Sequence, residues 1–202
     1  MNIALIDYRA GNLTSVRKAL SFIGTDFLVP ETPAGCSGAR GLIVPGVGHF
    51  SATLALDESW RRTILEAVGA GTPLLGICVG MQWLFEGSEE APDVPGLGLM
   101  PGRIARLQGD ADARLKVPHV GWNALDIRRP ARLLEGLPAG AQVYFTHSYA
   151  APVTDSCAAA TAHANVFSSA VERDNVFGVQ FHPEKSGDAG LQILRNFLKA
   201  CG

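Results

Sequence analysis

The sequence contains no apolar run near the roughly 20 residues that a membrane-spanning helix requires. It also does not open on a basic segment followed by an apolar stretch. In MNIALIDYRAGN, Asp7 interrupts the apolar run early, so the start is expected to be a strand rather than an export signal. Both absences point to a cytoplasmic chain. An excess of charge is missing too. Seventeen basic and nineteen acidic residues leave a formal charge of −2, which offers nucleic acid or an anionic membrane no electrostatic hold. Cysteine is scarce, and Cys36, Cys78, Cys157 and Cys201 form neither a CxxC pair nor a cluster of zinc-binding spacing. No metal and no cofactor is implied, and free thiols are the expectation in a reducing compartment. No repeat, low-complexity tract or linker divides the 202 residues, so one domain over 1–202 is expected. A domain of that size buries about 70% of the surface its unfolded chain exposes and needs no staples.

What is present is an alternation of short apolar runs with helical patterns. Ile3–Tyr8, Asp26–Val29, Gly41–Val44 and Pro73–Ile77 have the composition of strands. Between them, Leu13, Val16, Leu20 and Ile23 recur at helical spacing and stop at Gly24, while Leu54–Val68 is a second helical stretch. Met81–Phe85 opens a third. Strands alternating with helices predict right-handed crossovers and a parallel sheet covered on both faces. From about Gly98 the pattern changes. Gly98–Leu107, Ala124–Ile127, Gln142–Tyr149, Cys157–His163, Val166–Glu172 and Val176–Phe181 are predicted strands joined by turns, extending the sheet in antiparallel or mixed fashion. A last helix is expected over Ala189–Ala200, and Glu86–Gly96 is a polar loop.

Three strings carry chemistry. In Leu74-Leu75-Gly76-Ile77-Cys78-Val79-Gly80 a buried strand runs into Gly-x-Cys-x-Gly and then a helix, the cysteine counterpart of a nucleophile elbow. Such a turn places Cys78 at a helix N-terminus, which favours a thiolate, and offers the Val79 N–H to an oxyanion. A motif this short fits a small buried thiol equally well. The second string is an apolar strand ending in His182-Pro183-Glu184. With a strand period of two, His182 and Glu184 project to the same side. They have the identities of a base and the group that orients it; a solvated strand end is the plainer alternative. Third, Pro45-Gly46-Val47-Gly48 follows a strand and precedes a helix without the Lys-Ser/Thr of a phosphate loop. A simple turn is one reading of it; the other is that an amide from Val47 or Gly48 completes an oxyanion hole beside Val79. Together the elbow and the His-Pro-Glu end lie at one carboxyl edge of the sheet, where α/β sites form.

PGVGHF, GICVGMQ and FHPEKS resemble the class I glutamine amidotransferases. IDYRAGNLTSVRKAL, FEGSEEAP, VPHVGWN and YFTHSY bring the resemblance closest to the glutaminase subunits of imidazole glycerol phosphate synthases, over nearly the whole chain. The resemblance implies a flavodoxin-like α/β fold, mainly parallel and flanked by helices, with added antiparallel strands in the C-terminal half. It implies hydrolysis of L-glutamine to glutamate and ammonia, with Cys78 as nucleophile, His182 as acid/base and Glu184 as its orienter. Gly48, Gln82, Glu90, His147 and Ser148 would hold glutamine. The ammonia would pass to a separate cyclase subunit, a (β/α)₈ barrel forming a heterodimer, with Asn12, Pro118, His119 and Trp122 facing it. Trp122 and His119 are open to a core reading as well. Arg9 stands where the family often has glycine, and Val79 where it often has leucine. The rival readings are a glutaminase subunit serving pyridoxal phosphate, anthranilate or purine synthesis, a stand-alone γ-glutamyl hydrolase, and a regulatory subunit with a vestigial site.

Overall fold

A computed structural model describes residues 2–10, 13–109 and 116–202. The first half lays down β1 (Ile3–Leu5), α1 (Leu13–Phe22), β2 (Phe27–Leu28), β3 (Gly41–Gly46), α2 (Glu58–Gly69), β4 (Leu74–Cys78) and the short α3 (Val79–Trp83). α2 starts where it does because Asp57 caps it, its carboxylate accepting from the N–H groups of Ser59 and Trp60.

Period-two alternation decides which face each strand residue serves. Ile3, Leu5 and Ile43 enter one apolar core and Ala4, Leu42 and Val44 the other, all of them with no exposure. Val16, Ala19 and Leu20 of α1 close the first core at helical spacing, and Ile64 of α2 helps close the second. A sheet buried on both faces suits parallel strands. β1 accordingly pairs parallel with β2 and β3, and β3 with β4.

The second half adds the hairpin β5 (Gly87–Ser88) and β6 (Ala91–Pro95), then β7 (Ala105–Arg106), β8 (His119–Ala124), β9 (Asp126–Ile127), β10 (Gln142–His147) and β11 (Tyr149–Ala150). It ends with β12 (Cys157–His163), β13 (Asn165–Arg173), β14 (Val176–Val179) and α4 (Gly187–Ala200). β14 returns to lie parallel to β4, and β13, β12 and β9 follow antiparallel. The main sheet therefore runs β2-β1-β3-β4-β14-β13-β12-β9. β8 and β10 form a separate antiparallel ribbon. The mixed, mainly parallel α/β architecture matches the expectation.

Several boundaries differ. The first strand stops at Leu5 rather than Tyr8. The expected polar loop over 86–96 contains the β5–β6 hairpin. The stretch before Glu58 is a 3₁₀ helix, Phe50–Ala55, instead of the start of α2. Of the expected strand 98–107 only Ala105–Arg106 is one, and β8 lies in a segment with no predicted strand.

Candidate active site

Cys78 ends β4 and has φ 54° and ψ −110°, a left-handed conformation that costs a side-chain-bearing residue energy and persists only where the surroundings enforce it. Two glycines do so. A Cβ on Gly76 would lie 2.5 Å from the Gly80 carbonyl oxygen, and one on Gly80 would lie 1.8 Å from that of Val44. Without side chains there, α3 settles directly onto β3 and β4, and the thiol is left 3% exposed at the strand end. Val79 is the first residue of α3, where backbone N–H groups have no acceptor within the helix.

His182 and Glu184 come from β14's far end, though not as strand residues. The strand stops at Val179, and Pro183–Lys185 is a 3₁₀ turn. The expected strand projection is corrected accordingly, because Pro183 has no N–H with which to continue a ladder. The turn still joins the two side chains: His182 Nδ1 lies 2.8 Å from Glu184 Oε1, with the side chains 2% and 1% exposed. β10 fixes the backbone behind them. The His182 N–H donates to the Tyr144 carbonyl at 2.9 Å, and Ser186 Oγ bridges the His182 carbonyl and the Tyr144 N–H.

Nε2 of His182 is buried without a hydrogen bond of normal geometry, and the Cys78 thiol is the group beside it. Burial alone would favour the neutral ring. Hydrogen bonding to Cys78 and Glu184, with the charges of both, outweighs burial and raises the His182 pKa to about 10. The imidazole is therefore held protonated at neutral pH.

A cavity of about 230 Å³ opens in front of the sulfur, below the usual size of drug-ligand sites and on the scale of one amino acid. Its walls bring Cys78 and Val79 together with Gly48, Gln82, Glu90, His147 and Ser148, residues that lie far apart in the chain. Glu90 is held in place by the Phe50 N–H, which donates to its Oε2 at 2.7 Å. Gln82 donates from Nε2 to the Tyr149 carbonyl and to Gln180 Oε1, so its own carbonyl oxygen is the atom it can turn to a ligand. His147 donates from Nδ1 to the same Tyr149 carbonyl. Burial, and next the charges of His163 and His182, outweigh that hydrogen bond and lower its pKa to about 4.

Thr146, Tyr149 and Pro118 line the cavity as well. Thr146 and Tyr149 escaped sequence reasoning; Tyr149 takes part through its carbonyl, which side-chain identity does not advertise. Gln180 was also missed. Its amide lies 3.7 Å from Cys78 Sγ, and a buried glutamine just past the end of an apolar strand carries no motif. The Val47 N–H donates to the Ala10 carbonyl at 3.1 Å, so in this conformation it is not offered to the cavity.

The residues expected to face a partner divide. Trp122 is 57% exposed on β8 and Val120 beside it 58%. Pro118 is exposed at the cavity mouth. His119 is corrected: at 3% exposure it cannot meet another chain, because its side of β8 packs inward, between Phe145 and His163. Asn12 lies outside the described residues. Among the described residues no group of three His, Cys, Asp or Glu is arranged to hold a metal ion.

The sequence model of the glutamine amidotransferase class-I family matches residues 5–201. The chain is a class I glutamine amidotransferase. Imidazole glycerol phosphate synthase subunit HisH of Thermococcus kodakarensis is 46% identical to this amidotransferase over 203 residues, covering 98% of this chain and 99% of that one. HisH of Methanothermobacter thermautotrophicus is 46% identical with 98% of each chain covered, and HisH of Deinococcus radiodurans 47% identical with 98% and 93% covered. Among solved structures, a glutamine amidotransferase superposes with a TM-score of 0.76 at 20% identity over 98% of both chains. PurLQS from Thermotoga maritima gives 0.72 at 17%, with 98% and 97% covered. At those identities the likeness is one of fold.

Proposed function

We propose that this amidotransferase is the glutaminase subunit of an imidazole glycerol phosphate synthase, acting in histidine biosynthesis. In this reading it hydrolyses L-glutamine at Cys78 and passes ammonia to a separate cyclase subunit of (β/α)₈ barrel type, with which it forms a heterodimer in the cytoplasm. Near-full-length identity of 46–47% to HisH proteins supports the pathway. The observation that carries the chemistry is the buried His182–Glu184 pair behind a strained cysteine, at the end of a cavity sized for one amino acid.

The α-ammonium of glutamine meets the Glu90 carboxylate and the Gln82 carbonyl oxygen, and the side-chain amide then points at Cys78. The thiolate attacks the amide carbon, and the charge that develops on oxygen is received by the Val79 N–H. Collapse of this intermediate breaks the C–N bond as His182 Nε2 hands its proton to the leaving nitrogen. Ammonia departs and a γ-glutamyl thioester remains. His182, now neutral, takes a proton from water, whose oxygen attacks the thioester. Glutamate leaves, and the proton returns the imidazolium–thiolate pair. Glu184 keeps the Nδ1 proton in place throughout.

A second oxyanion donor, Val47 N–H, joins only after it gives up the Ala10 carbonyl. One such donor is worth about 100-fold or more in rate. The chain alone is therefore slow, and a partner that displaces the Ala10 loop speeds it. The test is ammonia release from glutamine with and without a cyclase subunit and its nucleotide ligand. Cys78→Ala should abolish release in both settings; turnover that survives it refutes the nucleophile. Equal wild-type rates with and without the cyclase remove the coupling.

A further inference from the structure

Two glutamines behind the nucleophile have their amide polarity fixed by the backbone. The Tyr149 carbonyl can only accept, so the atom of Gln82 lying 3.0 Å from it is a donor, Nε2. That same nitrogen lies 3.1 Å from Gln180, which must therefore present Oε1 to it. Gln180 is left with its Nε2 turned to Cys78 Sγ at 3.7 Å. Gln180 is wholly buried and Gln82 is 3% exposed, so neither amide can flip without leaving a buried polar group unpaired. A buried amide lined up in this way is an unusual neighbour for a sulfur unless the sulfur carries charge, because an uncharged thiol is a weak acceptor.

We propose that Gln180 is a catalytic hydrogen-bond donor to the Cys78 thiolate, held in the donating orientation by Gln82 and the Tyr149 carbonyl. It stabilises the sulfur as an anion before attack and again when the thioester breaks, and it fixes the direction from which the sulfur meets substrate. The two flanking groups divide the work: His182 supplies and removes the proton, while Gln180 holds the sulfur without exchanging one. The arrangement also explains why Gln82 reaches the cavity with its oxygen alone, one of its hydrogens going to the Tyr149 carbonyl and the other to Gln180 Oε1. This inference rests on Cys78 being the nucleophile.

The test is alkylation of the purified chain by iodoacetamide from pH 5 to 10, with the labelled cysteine identified by mass spectrometry, alongside steady-state kinetics of the cyclase complex. Gln180→Met keeps the volume and removes the donor. Its alkylation profile should move to higher pH by about one unit, and kcat should fall about tenfold while KM for glutamine stays within twofold. Gln82→Met leaves Gln180 in place but unoriented and should give a smaller shift in the same direction, which keeps the idea testable if the first variant fails to fold. A Gln180→Met enzyme with an unmoved profile and unchanged kcat overturns the proposal. So does one whose only change is a raised KM, since that would make Gln180 a wall of the cavity. Labelling confined to cysteines other than Cys78, or activity in Cys78→Ala, would instead sink the nucleophile assignment.

Discussion

Glu184 holds His182 through a single carboxylate–imidazole contact that bulk water does not reach. Replacing it by an isosteric amide keeps the shape and loses the charge, so Glu184→Gln should fold normally yet lose roughly 10²- to 10⁴-fold in kcat, measured as ammonia release. The same imidazole, held protonated against burial by Cys78 and then by Glu184, gives a pH dependence of stability. The folded His182 pKa, about 10, lies above the value of about 6.5 in an unfolded chain. Its stabilising contribution is therefore complete below pH 6.5 and is lost as pH rises from there through about 10. Urea midpoints measured across that range should fall more steeply for the wild type than for His182→Gln. At this scale the clustering of Cys78, His182 and Glu184 was legible because Cys, His and Glu announce their chemistry by identity. Gln180 and the direction of the Val47 N–H were not, since one is an ordinary amide and the other depends on a peptide plane that no side chain records. Arg9 shows the converse. It occupies φ 60°, the left-handed region glycine tolerates best, and its N–H is held by the Asp7 carboxylate at 2.8 Å. A departure visible in the sequence thus sits on a strained backbone beside Ala10, whose carbonyl restrains Val47.

Elements place these residues, and two of them respond sharply to substitution. At the elbow, Gly80→Ala drives a methyl into the Val44 carbonyl and must push α3 away from β3. A loss of about 2 kcal/mol or more, read by chemical denaturation, should accompany lost activity. In the β8–β10 ribbon, burial first and then neighbouring histidines lower the His119 pKa to about 3, and the His147 pKa is near 4. Both rings stay neutral in the fold while their unfolded counterparts take up protons below about pH 6.5. Stability should therefore decline as pH falls from 6.5 towards 4, with a shallower decline in His119→Phe. β1, β3 and β4 were readable because each is buried on both faces and forms an unbroken apolar run. β8 was hidden because only one side of it packs inward. Val120 and Trp122 are exposed and Gly121 separates them, so HVGWN shows little of the composition of a strand. The His-Pro-Glu turn misled for a different reason: the apolar run before it was projected past a proline that ends the ladder.

For the molecule as a whole, the parallel half and its antiparallel extension were both foreseeable from the change of rhythm near Gly98, whereas the strand order was not, because pairing across the sheet is decided by tertiary contacts. Exposed Trp122 is a surface feature of the whole chain rather than a support of its core. Trp122→Ala should leave the denaturation midpoint of the isolated protein within about 0.5 kcal/mol of wild type. The same change should weaken cyclase binding by about 2 kcal/mol, or about 30-fold in Kd, measured by titration calorimetry. An unchanged Kd would move the interface elsewhere.

β4 and β14 lie side by side, yet the residues that meet at their ends, Cys78 and Gln180, are 102 positions apart. Closing so long a loop is slow and costs chain entropy before any contact repays it. On a ribosome, the thiol emerges long before the strand that brings its imidazole. On the proposed function, a growing chain therefore carries its nucleophile without its base. With Cys78 as the proposed nucleophile, activity on refolding should return no faster than β14 inserts between β4 and β13, which makes catalytic competence a timer set by topology.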